Sequence, residues 1–288
     1  IVKILDSLRK YIFLIAALAF FLIVGSMIPK FFSFNNIMNV TRQSSTIAIC
    51  AMAMSIVLIS KEIDLATGGF MAFCAMISGM LMLRGVNVYV AMAIGMFIGL
   101  MIGVINGILI SKIEIPSFIA TYVTGQIATG LALVLGQGRS IGGMPELYVS
   151  IGNNFILGVP ILTLIMLFFL VISSVLMWKT RIGKHIYALG GNSITLKQEG
   201  VNIDKIKIFA FGLSGLYAAC AGIFLSAHMN AVHPTQGSTY QLDAVAASVI
   251  GGVSMLGGEG KPWMAVIGAL IIGLLRNSLT LIGVHPYF

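Results

Sequence analysis

The chain has 288 residues, of which 58% are hydrophobic and only 9% are charged. Soluble domains carry roughly 25% charged residues, so this composition excludes a largely water-exposed surface and predicts a protein covered by lipid. A net charge of +8 is compatible with nucleic-acid binding, but membrane topology explains it better, and we expect no nucleic-acid partner. The cysteines Cys50, Cys74 and Cys220 lie in apolar stretches, which favours buried thiols over disulfides or a metal framework.

Nine apolar segments are candidates for membrane spans, because a helix needs roughly 20 apolar residues to cross the hydrocarbon core. Backbone groups in lipid must bond within their own segment, which makes the segments helices and not strands of an open sheet. The predicted fold is all-α and polytopic, a single membrane domain over residues 1–288. In chain order the segments are Tyr11–Ile28, Thr46–Ile59, Gly69–Leu83, Val88–Ile110, Phe118–Gly136, Pro160–Trp178, Ile208–Ala227, Ala244–Leu256 and Trp263–Ile282.

The distribution of Lys and Arg predicts the orientation of these spans. With a cytoplasmic N-terminus, 12 basic residues fall on the cytoplasmic side and four on the outer side, while Arg276 lies within the last span. The polar run Lys179–Lys207, with six Lys or Arg and two acids, is then a long cytoplasmic loop. Nine spans leave the C-terminal sequence GVHPYF outside, and its abrupt end leads us to expect a missing or truncated final helix.

Two features of the spans bear on packing and transport. Thr46–Ile59 and Ala244–Leu256 have only 14 and 13 residues, and each is followed by a turn with Gly and charge. Short, interrupted segments in corresponding positions indicate a transport path, although misplaced ends of ordinary helices would look the same. Gly residues recur every fourth position in Gly95–Gly107, which favours tight helix packing, with a substrate-facing groove as the alternative.

The sequence lacks the motifs of an enzyme. The stretch GGEGKP at Gly257–Pro262 has Met255 where a P-loop needs Gly and Pro262 where it needs Ser or Thr. No zinc motif is present, and we expect no metal site. All nine acidic residues fall in loops or at span ends, and only Asp64 and Asp243 are placed where they could enter the membrane, which argues against a proton relay within the spans. A channel, or a permease driven by a separate ATPase, remains.

Five collinear stretches carry a resemblance to a known family. They are KEIDLATGGFMAF, GVINGILI, KIEIPSFIAT, GKHIYALGGNSITLKQEGVNIDKIKI and HPTQGSTYQLDAVAASVIGGVSMLGGEGK. Together they cover nearly the whole chain and resemble the ribose-type permease subunits of bacterial ABC sugar importers.

The resemblance implies a function and a set of partners. A chain of this family usually has about ten spans in the bacterial cytoplasmic (inner) membrane and imports a monosaccharide, ribose-like, or a related polyol. It pairs with a second permease copy or a paralogue, and two ATPase subunits dock on the cytoplasmic side. A periplasmic or lipid-anchored sugar-binding protein delivers the sugar. ATP and Mg²⁺ are bound by the ATPase, and this chain needs no cofactor of its own. The alternative is a secondary transporter or channel without an ATPase.

The loop Lys179–Lys207 resembles the family's ATPase-coupling element. Gly190 and Gly191 are expected to break the chain, and Asn192 or Ser193 to cap a short helix over Ile194–Glu199. Leu196 would present an apolar side chain to the ATPase, and Gly200 would end the helix. Alternatively, the basic residues of the loop only anchor it to lipid headgroups.

Five polar residues are candidates for the substrate path, and each has a plainer explanation. Asp64 is either a gate residue or a cap on the following helix. Asn106, Tyr122 and Gln126 either line the path, where they would meet sugar hydroxyls, or bond neighbouring helices. Arg276 either lines a cavity or extends to the outer interface to avoid the cost of an unpaired charge in lipid.

The outer loop Ala227–Asp243 is expected to meet the binding protein. His233, Gln236 and Asp243 are the candidate contacts. His228 and His233 are isolated, which favours loop polar groups over metal ligands.

Overall fold

The structure, a computed structural model, describes residue 21, residues 25–26 and residues 31–283, and this part of the chain is overwhelmingly helical. The helices are α1 (Phe34–Ile59), α2 (Thr67–Leu83), α3 (Val88–Ser111), α4 (Ser117–Leu135), α5 (Glu146–Asn153), α6 (Ile161–Lys179), α7 (Arg181–Gly191), α8 (Ser193–Gln198), α9 (Ile203–Met229), α10 (Tyr240–Ile250) and α11 (Pro262–Leu281). Four two-residue strands, β1 (Ile141–Gly142), β2 (Phe155–Ile156), β3 (Val159–Pro160) and β4 (Ala231–Val232), pair antiparallel as β1 with β4 and β2 with β3.

The predicted all-α, polytopic fold is confirmed. Within the described residues, six helices are long and apolar enough to cross a membrane, namely α1, α3, α4, α6, α9 and α11, and α2 is a shorter apolar helix. The predicted first span, Tyr11–Ile28, lies almost wholly outside the described residues, as do residues 284–288 at the end of the chain.

The predicted pair of matching short spans is wrong for its first member. The segment Thr46–Ile59 is only the second half of α1, which has 26 residues and begins after Ser33, whose hydroxyl accepts a bond from Asn36 N at 3.3 Å. The polar residues of the first half concealed the helix from a hydropathy argument. The predicted span Ala244–Leu256 is too long, because α10 ends at Ile250. The chain then turns through several glycines in the left-handed region, which a helix cannot accommodate.

Helices α1 and α9 form the centre of the bundle. Most of their apolar length is buried, whereas only 28% of that of α4 and of α6 is buried inside the chain. The glycine ridge of α3 packs against α9: an added Cβ at Gly99 would lie 2.6 Å from Gly215 O, and one at Gly107 would lie 2.5 Å from Ile208 Cα. The glycine ridge therefore allows the predicted tight packing of α3 against α9, because any side chain on the ridge would force the two helices apart.

The connections between helices gather at two ends of the bundle. At one end, Glu62 Oε1 lies 2.5 Å from Lys207 Nζ and Lys112 Nζ lies 2.7 Å from Asp204 Oδ2. These segments are the ones that the Lys and Arg distribution assigns to the cytoplasm, and we call this end the cytoplasmic end. The opposite, outer end carries the pairing of β1 with β4 and the reciprocal amide bonds of Asn36 and Asn277 at 3.0 and 3.1 Å.

Candidate functional site

The predicted coupling loop contains two helices joined through a single residue, Asn192. Helix α7 runs through Gly190 and Gly191, so these residues do not break the chain as predicted. The chain changes direction at Asn192, which ends α7 and whose Oδ1 accepts bonds from Ile194 N and Thr195 N, both at 3.1 Å. The predicted short helix is present as α8, one residue earlier than expected. The capping amide satisfies two backbone donors and thereby fixes the angle between the helices.

Gly190 and Gly191 differ in their surroundings. A Cβ at Gly190 would lie 2.5 Å from Gly258 N and closer still to Ile59 O, whereas a Cβ at Gly191 would meet nothing within 4 Å. Gly258 N also donates to Ile59 O at 2.8 Å, so three backbone segments meet here. Gly190 is therefore the contact through which α7 reaches the end of α1 and the turn before α11.

The exposed apolar side chain of α8 is not the one predicted. Leu196 is only 3% exposed, because its side chain packs back into the bundle, whereas Ile194 is 71% exposed. Gly200 follows α8 with φ of 77°, a left-handed conformation that favours glycine. Val201 N then donates to Leu196 O at 3.3 Å, which closes the turn. In a six-residue helix the direction of each side chain depends on packing, which the sequence pattern did not reveal.

The coupling loop is also held by a side-chain contact that the sequence did not predict. The Tyr187 hydroxyl of α7 donates to Gly260 O at 2.6 Å. The bond joins the loop to the turn that precedes α11. No sequence motif signals this bond, since the two residues are far apart in the chain.

Asp64 lies in the connection between α1 and α2 and is buried. Its Oδ1 accepts a bond from Ala66 N at 2.8 Å, while α2 itself begins at Thr67 without a side-chain cap. The plainer explanation of Asp64 as the cap of α2 is therefore wrong. Two residues of α4 support the same connection: Thr121 Oγ1 accepts from Leu65 N at 2.9 Å and Ser117 Oγ accepts from Ile63 N at 3.3 Å. Asp64 belongs to a fixed backbone turn at the cytoplasmic end.

Asn106 is fully buried in α3, and neither polar atom of its amide has a hydrogen-bond partner among the described residues. Within the described part of the chain, the structure therefore does not contain the hydrogen bond from Asn106 to a neighbouring helix that was the alternative. An unpaired buried amide costs roughly 1–3 kcal/mol, so a purely structural role does not explain it.

Tyr122 and Gln126 lie one turn apart on the exposed face of α4, and Tyr122 is 50% exposed. Gly130, one turn further, would meet nothing within 4 Å if it carried a Cβ. These residues do not converge with Asp64, Asn106 or Arg276 inside the chain. They form a polar and small-residue stripe on a helix that otherwise exposes apolar side chains.

Arg276 does not stand alone, and Asp243 does not lie in a loop. Asp243 is in the first turn of α10, and its two carboxylate oxygens each accept a bond from Arg276 Nη2 at 2.8 Å. The ion pair explains how a span tolerates the guanidinium better than extension to the interface alone. Arg276 also lines a cavity of about 150 Å³ with Arg42, His228 and Tyr240.

The two other residues predicted to face the binding protein support the outer loop itself. His233 Nδ1 is hydrogen-bonded to Ser140 Oγ. Gln236 Oε1 accepts from His233 N at 3.2 Å, and its Nε2 donates to Gly222 O at 3.1 Å. Among the described residues, no group of three or more His, Cys, Asp and Glu is arranged to hold a metal ion.

The six long apolar helices of the described residues, together with the helical loop fixed at one end of the bundle, define a multi-pass membrane protein. A family model described as "Branched-chain amino acid transport system / permease component" matches residues 36–288. The chain belongs to this family of permease components, and its relatives place it among the ribose-type ABC sugar permeases of the inner membrane.

The curated relatives match most of their own length. The chain is 36% identical over 284 residues to the ribose import permease protein RbsC of Haemophilus influenzae, covering 97% of this chain and 87% of that protein. It is 38% identical to the ribose import permease protein RbsC of Bacillus subtilis, with 93% and 84% covered. The D-allose transport system permease protein AlsC of Escherichia coli is 32% identical, with 92% and 82% covered. No solved structure matches the chain.

Proposed function

We propose that this chain is the membrane permease of an ATP-driven importer for a monosaccharide, ribose-like, or a related polyol. It hydrolyses nothing itself. A separate ATPase docks at the cytoplasmic end and binds ATP and Mg²⁺, and a periplasmic or lipid-anchored binding protein delivers the sugar at the outer end. The observation that carries the proposal is the fixed attachment of the α7–α8 loop to the spans, together with the exposed Ile194 on α8.

The attachment suits a coupling element because it transmits displacement. An ATPase that moves α8 also moves α7, since Asn192 fixes the angle between them. Helix α7 contacts the end of α1 through Gly190 and the turn before α11 through Tyr187. Two spans that pack against each other, α1 and α11, would therefore respond to one motion.

The polar stripe of α4 supports a pair of permeases with the substrate path between them. A glutamine exposed to hydrocarbon leaves its amide without hydrogen-bond partners, which is unfavourable. A second copy that faces this stripe would remove Tyr122 and Gln126 from lipid and place both beside a polar passage for sugar hydroxyls. Asp64, Asn106 and Arg276 do not lie on this stripe, and Asn106 with its unpaired amide is the strongest path candidate inside one chain.

The test is the purification of the tagged protein from its native membrane in mild detergent, followed by mass spectrometry. A soluble ATPase with a P-loop, recovered in stoichiometric amount, is the expected result. A homo-oligomer that retains no ATPase after cross-linking would overturn the proposal in favour of a secondary transporter or channel.

The point variant Ile194→Asp sharpens the test, because it places a charge on the exposed face of α8 without touching a buried contact. We expect it to lose ATPase and sugar uptake while the protein remains folded. Leu157→Asp is the matched control, since Leu157 is fully exposed between β2 and β3 at the outer end.

A further inference from the structure

A cavity of about 500 Å³ opens beside the coupling loop at the cytoplasmic end. Three segments form its walls: the end of α3 with the connection to α4, the turn between α8 and α9, and the connection between α1 and α2. Its lining residues include Glu62, Glu114, Lys197, Asp204 and Lys207, so the cavity is a charged groove and not a lipid-like one.

Two ion pairs fix the walls of this groove to one another. Lys112 of the α3–α4 connection bonds Asp204 in the first turn of α9, at 2.7 Å. Glu62 of the α1–α2 connection bonds Lys207 one turn further along α9, at 2.5 Å. The second pair is the more protected from solvent, with exposed side-chain fractions of 14% and 23%. The three segments therefore form one rigid surface with the base of α9.

Glu114 and Lys197 are exposed charged residues of this surface that other described residues do not neutralise in an ion pair. Both are exposed, and neither takes part in the ion pairs formed among residues 31–283. They come from different segments, Glu114 from the α3–α4 connection and Lys197 from α8. The groove thus presents one free negative and one free positive charge.

Two exposed isoleucines lie close in sequence to lining residues of this groove: Ile113 precedes Glu114, and Ile194 lies one turn before Lys197 in α8. Ile194 on α8 is 71% exposed, and Ile113 in the α3–α4 connection is 61% exposed. Lipid does not account for Ile113, because its neighbours Lys112 and Glu114 are both exposed charged residues. Exposed apolar side chains rimmed by charge mark a protein contact.

We propose that the ATPase docks on two segments of this chain, α8 and the α3–α4 connection around Ile113, with the groove between them. The inference rests on the proposed function, in which α8 is the ATPase contact, and adds a second contact that α8 alone does not provide. The partner surface has apolar side chains that cover Ile113 and Ile194, a basic group toward Glu114 and an acidic group toward Lys197. The continuity of the groove with α8 and its paired free charges favour the ATPase over lipid as the occupant.

The experiment compares Ile113→Ser, Ile194→Ser and Ile156→Ser in the complete transporter, purified in mild detergent from its native membrane. Ile156 is 50% exposed in β2 at the outer end and serves as the matched control. The measurement is the amount of ATPase retained per permease as salt is raised. We expect both Ile113→Ser and Ile194→Ser to weaken ATPase binding by about fivefold or more, as removal of a central apolar contact does, and Ile156→Ser to leave it unchanged.

The outcomes separate this inference from the proposed function. If Ile194→Ser loses ATPase and Ile113→Ser retains it fully, the second contact is wrong and the proposed coupling through α8 stands. If both variants retain ATPase like Ile156→Ser, the proposed coupling through α8 is wrong as well.

A second measurement guards against variants that fail to fold. A cysteine at Ile113 is labelled with a maleimide in the presence and absence of the ATPase. The native cysteines Cys50, Cys74 and Cys220 are buried, so background labelling is low. We expect at least about fivefold slower labelling of Ile113→Cys with the ATPase bound, since a covered interface excludes the reagent. Equal labelling in both states would overturn the proposal.

Discussion

The two ends of the bundle are held together by different kinds of contact. At the cytoplasmic end, the backbone of Gly190 packs against the backbone of Ile59 and Gly258, and two ion pairs join the α1–α2 and α3–α4 connections to α9. At the outer end, short strands and neutral hydrogen bonds link the loops, and the ion pair of Asp243 with Arg276 joins two helices instead of a loop and a helix.

The difference is consistent with the function proposed for each end. A loop that transmits force must move as one body with the spans. Backbone contacts, and ion pairs between the connections and α9, hold it to them. A loop that receives a soluble partner needs only to keep its own shape. We therefore expect changes to the buried contacts of the cytoplasmic end to affect coupling and stability together, and changes at the outer end to affect stability without releasing the ATPase.

The largest expected effect comes from Gly190→Ala. The new Cβ would collide with Ile59 O and Gly258 N, and neither backbone atom can move without displacing a helix end. We expect a loss of about 1–3 kcal/mol in stability, typical of overpacking, together with loss of ATP-driven uptake. Thermal unfolding in detergent and uptake into vesicles measure the two effects. Gly191→Ala is the control, because its Cβ meets open space; equal losses in both variants would show that the close contact is not the cause.

An intermediate effect is expected from Asp243→Ala at the outer end. The change leaves Arg276 without its carboxylate partner, and Arg276 is about half exposed, so we expect a loss of about 1 kcal/mol. The double variant Asp243→Ala with Arg276→Leu removes the unpaired charge and should recover most of the stability. Thermal unfolding of the single and double variants is the measurement. If the double variant is less stable than the single one, the pair contributes more than charge compensation.

Most of the bundle can be predicted from the sequence, because the spans are long and strongly apolar. Helices that contain polar residues or are short cannot be placed in the same way. The first half of α1 was missed because its Asn, Arg and Gln residues lower the hydropathy, although they lie within one continuous helix. Helix α10 was extended too far because Gly251–Leu256 is apolar, and composition does not record a left-handed glycine.

The candidate site was predictable in its local parts and not in its contacts. The Asn192 cap could be predicted, since an asparagine followed by a short polar helix is a local signal. The burial of Leu196 and the pairing of Asp243 with Arg276 could not, because each depends on a neighbour that is distant in sequence. The spacing of Tyr122 and Gln126 puts both on one face of a helix, but the other helices decide which face of α4 points outward, and the sequence does not show that.

The smallest expected effect comes from His233→Ala at the outer end. The variant loses the bond to Ser140 Oγ, but that bond is solvent-exposed, and the backbone pairing of β1 with β4 remains. Gln236 also keeps its bond to the backbone nitrogen of residue 233, which does not depend on the imidazole. We expect a change of no more than about 0.5 kcal/mol, as for most surface substitutions, and unchanged ATPase retention.

Gln236→Ala provides the contrast, because it also removes a partly buried bond to Gly222 O and should cost about 1 kcal/mol. Thermal unfolding of both variants measures which of them loses more stability. A loss for His233→Ala as large as that for Gly190→Ala would mean that the outer end depends on side-chain bonds as much as the cytoplasmic end depends on backbone contact.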